Sequence, residues 1–168
     1  MATGRGNQLT KQIGEYLVAA ELGRRGYVAA TFSGNVPDYD IVATDPEFRA
    51  VPVQVKAITG KSWQLDFGRF AAVRFEGKRQ VVERPLRLPR SIAYVLVALG
   101  EYGQDRFYVL EWRQLRDILI RAYKANLVKK GGVRPKRYDS LHTAVSEAQL
   151  AKYRDNWSLL DQLCRSGA

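Results

Sequence analysis

The chain has one cysteine, Cys164, one histidine, His142, and one methionine in 168 residues. A lone cysteine excludes an intrachain disulfide framework and a Cys-rich zinc site, and one imidazole with one distant thiol gives no basis for a Cys-His nucleophile pair. A reducing, cytoplasmic setting fits that usage. Long apolar runs are also missing. The longest, 92–99, falls far short of the roughly 20 residues a spanning helix needs, and the first residues lack the apolar stretch of a secretory signal, so a soluble protein with no membrane association is expected. Acidic residues are the other deficit: 17 Asp and Glu face 27 Lys and Arg, a net charge of +10 and a pI near 9.9. That excess favours a polyanionic partner, because each neutralised phosphate releases condensed counterions. Two enzyme classes drop out on missing glycines. Gly60-Lys61-Ser62 mimics the end of a phosphate-binding P-loop, but Val55 stands where its first glycine is required, and no Gly-x-Ser-x-Gly elbow occurs.

What is present is the length of one ordinary domain, with no internal repeat and no long linker. A single domain spanning 1–168 is expected, its core at about 9–123, with a basic loop and C-terminal helix at about 124–164. Leu9, Ile13, Tyr16, Leu17 and Ala20 recur at helical spacing, so residues 9–24 read as an amphipathic helix stopped near Gly23 and Gly26. Residues 27–32 read as a strand, Ser33-Gly34-Asn35 and Pro37-Asp38 as turns, and 40–44 as a second strand. In 50–57, Val51, Val53 and Val55 alternate with Pro52, Gln54 and Lys56, which sends the valines to the core and the polar side chains to the other face. Trp63, Leu65 and Phe67 alternate again, and core is the expected place for Trp63. The wholly apolar 92–99 reads as a central strand covered on both faces, with 107–110 beside it. Residues 112–123 read as a helix, 124–138 as a basic loop, and Ser146 with Gln149 as a capping box opening one last helix through Tyr153 towards Trp157 and Leu160. The fold class is therefore α/β, a sheet covered by helices.

Gln54 and Lys56 share one face of a strand, about 6.6 Å apart along it. If the preceding strand returns antiparallel through 45–49, Asp40 lies beside that pair. Hydrolysing a phosphodiester calls for a hard cation that withdraws charge from the phosphoryl oxygens and acidifies water, and Mg²⁺ is usually held by one or two carboxylates plus substrate oxygens. Asp40 is the first candidate ligand, the carbonyl of Gln54 a neutral second, and Glu15 a source of further charge directly or through a water. Lys56 would orient the nucleophile and offset charge developing at phosphorus. Mg²⁺, with Mn²⁺ as a substitute, is the expected cofactor. Asp38 competes with Asp40; the apolar stretch 41–43 that follows Asp40 favours the latter.

Gly14-Glu15-Tyr16 through Gly26-Tyr27, then Pro37-Asp38-Tyr39-Asp40-Ile41-Val42, then Val53-Gln54-Val55-Lys56 resemble the PD-(D/E)XK nuclease superfamily, in particular its branch with Asp followed by Gln-x-Lys, to which Mrr-type restriction endonucleases belong. The resemblance covers about the first third of the chain. It implies a restriction-endonuclease-like core with a four-stranded mixed sheet flanked by helices, and Mg²⁺-dependent cleavage of DNA. It assigns Asp40 and Gln54 to the metal, Lys56 to the catalytic lysine and Glu15 to the acidic residue of the first helix. Gln54 stands where most of the superfamily has Asp or Glu, a change that the Gln-x-Lys branch shares.

Lys124, Lys129, Lys130, Arg134, Lys136 and Arg137 form a run with no acid inside it, the composition of a loop that grips phosphates or of plain solvated surface. Lys129, Lys130, Arg134, Lys136 and Arg137 are the candidate nucleic-acid contacts. Arg69, Arg74, Lys78, Arg79, Arg84, Arg87 and Arg90 spread further positive charge, and His142 is expected to be structural. The expectation is a metal-dependent nuclease acting on DNA, with RNA the other polyanion. A homodimer is the simplest arrangement for cutting both strands. The rival is a catalytically silent nucleic-acid-binding domain on the same fold, and a purely structural interaction module comes third.

Overall fold

The computed structural model describes residues 4–32, 38–88 and 91–166. Helix α1 (Gly4–Arg24) leads into β1 (Val28–Thr31), β2 (Ile41–Thr44) and β3 (Ala50–Ile58). Next come β4 (Ser62–Asp66), a 3-10 turn (Phe67–Arg69), β5 (Ala71–Glu76), β6 (Arg79–Pro85), β7 (Ala93–Ala98) and β8 (Arg106–Glu111). Helix α2 (Trp112–Lys129), β9 (His142–Ser146), the short α3 (Glu147–Leu150), a second 3-10 turn (Ala151–Tyr153) and α4 (Ser158–Ser166) complete the chain. The main sheet has the order β1-β2-β3-β7-β8, one strand more than the resemblance implies. It is mixed: β3 and β7 run parallel and the other neighbours antiparallel.

The sheet divides two apolar layers, because alternate side chains of each strand leave by opposite faces. Val51, Val53 and Val55 of β3 join Ala93, Val95 and Val97 of β7 in a layer closed by Val18 and Leu22 of α1 and Leu159, Leu160 and Leu163 of α4. On the other face Tyr94 and Leu96 meet Trp63, Phe67, Phe70, Leu115 and Leu119. Every residue of β7 is buried, as its unbroken apolar run requires. The polar face of β3 therefore looks towards a second core rather than open water, and Gln54 is only 4% exposed.

Four expectations need correcting. The face of α1 turned to the sheet is Gly14, Val18 and Leu22, whereas Leu9, Ile13 and Tyr16 are exposed. Glycine carries no apolar signal, so the pattern favoured the wrong face; here it is contact distance that matters, since a Cβ on Gly14 would lie 2.4 Å from Ala57 Cβ. Helix α2 runs on to Lys129, so Lys124 and Lys129 are helical and the basic loop starts at Lys130. The Ser146 and Gln149 capping box is present, but it opens a single turn of helix, and a 3-10 turn then separates it from α4. Two strand pairs go beyond the sequence pattern: β5 with β6, and β4 with β9, which His142 opens. Residues 33–37 and Arg90, where turns and a charge were expected, lie outside the described residues.

Candidate active site

The register of β2 on β3 sets Ile41 opposite Val53 and Thr44 opposite Ala50, and Asp40 directly precedes the first of these pairs. The Asp40 amide still donates to Val53 O at 2.9 Å, but the regular ladder ends there. The Asp40 carboxylate takes over: its Oδ2 accepts the backbone N–H of Val55 at 2.8 Å and the side-chain amide of Gln54. A side chain thus satisfies the donor that the departing strand leaves unpaired. Gln54 Nε2 also donates to Val55 O at 3.3 Å, so the amide presents its nitrogen, not its carbonyl oxygen, to Asp40.

Glu15 approaches from α1, brought close by the Gly14 contact with β3. Lys11, one turn earlier, sets its Nζ 3.4 Å from Glu15 Oε1 and 3.7 Å from Asp40 Oδ1. The two carboxylates therefore converge on one point. Glu15 Oε1 is enclosed and accepts no hydrogen bond, the state of an oxygen that needs a cation beside it.

Lys56 lies on the same face of β3. Burial pushes its ammonium below the ordinary lysine range; Asp40 opposes this, Lys11 and Arg69 add to it, and Glu15 opposes it. Tyr94, paired with Gln54 across β3 and β7, forms a wall of this region. Burial pushes its hydroxyl up to about 12, Arg69 works against that shift, and Asp38 and Asp40 add to it. Asp38 itself is exposed, has a φ of 74°, and pairs with Arg69 Nη2 at 2.5 Å. It stands outside the cluster as a surface ion pair. Lys11 joins the site without having been expected there, and Tyr94 stands beside Gln54 on the neighbouring strand. Lys11 carries a legible signal, being four residues before Glu15 on a helix; Tyr94 shows none beyond its place in an apolar strand.

Among the described residues no three His, Cys, Asp or Glu side chains gather as a metal-binding group. Glu15 and Asp40 give two carboxylates, and Gln54 becomes an oxygen donor only when its amide turns over. Two carboxylates, one of them with an unsatisfied buried oxygen, and an amide fit a hard, oxygen-seeking cation that keeps several waters.

The expected phosphate contacts divide. Arg134 donates to His142 O at 2.6 Å and lies over the Tyr123 ring, and Arg137 pairs with Asp139. Lys129, Lys130 and Lys136 are exposed. Lys130, Arg134, Lys136, Arg137 and Ser140 line a cleft of about 320 Å³. This loop returns through β9 to β4, and Trp63 of β4 donates its Nε1 to Lys56 O at 2.8 Å. Among the described residues no helix is long and apolar enough to cross a membrane.

No family model matches the chain, and no curated protein matches it. Among solved structures it is similar to a bacterial homing endonuclease, I-Ssp6803I, at 19% identity and a TM-score of 0.49 over 99% of this chain and 97% of that one. A likeness that slight carries no weight for fold or function.

Proposed function

We propose that this protein is a divalent-metal-dependent endonuclease that hydrolyses phosphodiester bonds of DNA. The observation behind the reading is the convergence of Glu15 and Asp40 to within 4 Å of one point, with Gln54 and Lys56 on the strand beside them. A bound Mg²⁺ or Mn²⁺ would supply Lewis acidity at the phosphoryl oxygen and a more acidic water; Glu15, Asp40 and the turned amide of Gln54 are the side chains that would hold it. Asp40 is kept oriented by the Val55 N–H, which leaves its Oδ1 turned towards Glu15 and Lys11. Lys56, held by the sheet, orients the attacking water and offsets charge gathering on the phosphate. Its partial burial strengthens that effect, since low dielectric weakens screening. Lys129, Lys130 and Lys136 would meet neighbouring phosphates, and a homodimer would bring two such sites to the two strands.

A second reading, a silent nucleic-acid-binding domain, is favoured by the absence of a third acidic ligand among the described residues and by the amide nitrogen that Gln54 turns to Asp40. Incubation of supercoiled and linear DNA with and without Mg²⁺ or Mn²⁺ separates the two. Cleavage that needs the ion, and that disappears in Lys56→Ala with DNA affinity retained, supports the enzyme. Binding without cleavage under either ion supports the silent domain. Asp40→Asn should lower metal affinity at least tenfold and Asp38→Asn by much less; the reverse ranking would move the ligand to Asp38.

A further inference from the structure

We infer that Lys11 is a tethered counter-ion that fills the gap between Glu15 and Asp40 until a divalent cation displaces it, and so sets the metal affinity of that gap; the inference rests on the nuclease reading above. One ammonium faces both carboxylates, at 3.4 Å and 3.7 Å. Neither separation is that of a settled charged hydrogen bond, which lies near about 2.8 Å. Glu15 Oε1 remains without a hydrogen-bond donor, so Lys11 offsets its charge without satisfying it.

Asp40 has committed Oδ2 to the Val55 N–H and Gln54. Its Oδ1, which Lys11 faces, is the oxygen left for a cation. The carboxylates are enclosed, with side-chain exposures of 17% and 11%, while the Lys11 side chain is 52% exposed. The partner able to leave is the lysine: its charge sits on a four-carbon stem near the helix surface, and swinging it into water moves no backbone. A divalent cation bound by those oxygens would repel the ammonium, so the two compete for the same place. Lys56 differs in kind, since burial and the sheet keep it where it is.

The test is a titration of the full chain with Mn²⁺ alone, without nucleic acid, at pH 7 and low ionic strength, following the free-ion signal by electron paramagnetic resonance. Lys11→Gln should tighten Mn²⁺ binding by about three- to tenfold, the scale of removing one partly exposed competing charge. Lys11→Arg, which keeps the charge, should stay within about twofold of wild type. Asp40→Asn should weaken binding. Unchanged or weaker binding in Lys11→Gln, with Asp40→Asn still impaired, overturns the counter-ion role and leaves the metal centre standing. No saturable Mn²⁺ binding by either wild type or Lys11→Gln overturns both.

Discussion

Lys56 shows what it costs to hold a charge in a largely buried place on a strand. Its ammonium is pushed below the ordinary value of 10.5, first by burial, so the folded state binds that proton less tightly than the unfolded chain does. The penalty is fully present while both states are protonated, and it fades as pH rises through the folded value towards 10.5. Lys56→Gln should therefore raise the melting temperature at pH 7, with the gain shrinking as pH approaches 10.5. Thermal melts of the two proteins across pH 7 to 10.5 check this; a constant difference would mean that the charge is not what burial disfavours. Asp40 is tied to the sheet instead: its carboxylate accepts the Val55 N–H, a donor that would otherwise be unpaired.

Among the elements, the packing of α1 on β3 decides whether Glu15 reaches the site. With a Cβ at position 14 only 2.4 Å from Ala57 Cβ and 3.6 Å from Ala57 Cα, the helix has to shift. Gly14→Ala gains about 1 kcal/mol of helix propensity but should lose about 1–3 kcal/mol to overpacking. Denaturant melts should show net destabilisation, and Ala57→Gly on the same background should recover much of it. Failure of the second change to compensate would place the strain elsewhere. The tie between β8 and α3 is electrostatic. Arg106 donates to Glu147 at 2.7 Å and 3.0 Å and Tyr108 at 2.6 Å, and these bonds, Arg106 first, hold the carboxyl down to about 2. Its stabilisation is complete above the ordinary value of 4.5 and is lost as pH falls towards about 2. Glu147→Gln should lower the melting temperature at pH 7 by about 2–4 °C and converge with wild type in acid; a deficit of equal size at pH 2 would point to lost packing instead.

For the whole molecule, the net +10 bears on the proposed DNA partner only through the charges that remain free to meet it. Arg134 and Arg137 are engaged within the protein, while Lys129, Lys130 and Lys136 are exposed on or near one loop. Neutralising those three lysines should flatten the plot of log affinity against log salt by about 0.9 for each duplex phosphate that is no longer neutralised. Fluorescence anisotropy with a labelled duplex at several salt concentrations measures it, and an unaltered slope would make the loop idle surface. The helix boundaries divide the expected set: α2 continues through Leu127, whose burial holds its last turn, so charges that read as one loop belong to two elements.

The residue order alone determined the α/β class, the buried strand β7 and the valine face of β3, because apolar periodicity is local and burial follows it. It also singled out Glu15, Asp40, Gln54 and Lys56 by type and spacing. What it could not carry was long-range placement. That Gly14 faces Ala57, that the other face of β3 meets a second core, that β9 closes on β4, and that Lys11 stands between two carboxylates all depend on segments far apart in the chain. Only the folded sheet brings their atoms within a few ångströms of one another, and at those distances contact, desolvation and charge decide what each side chain can do.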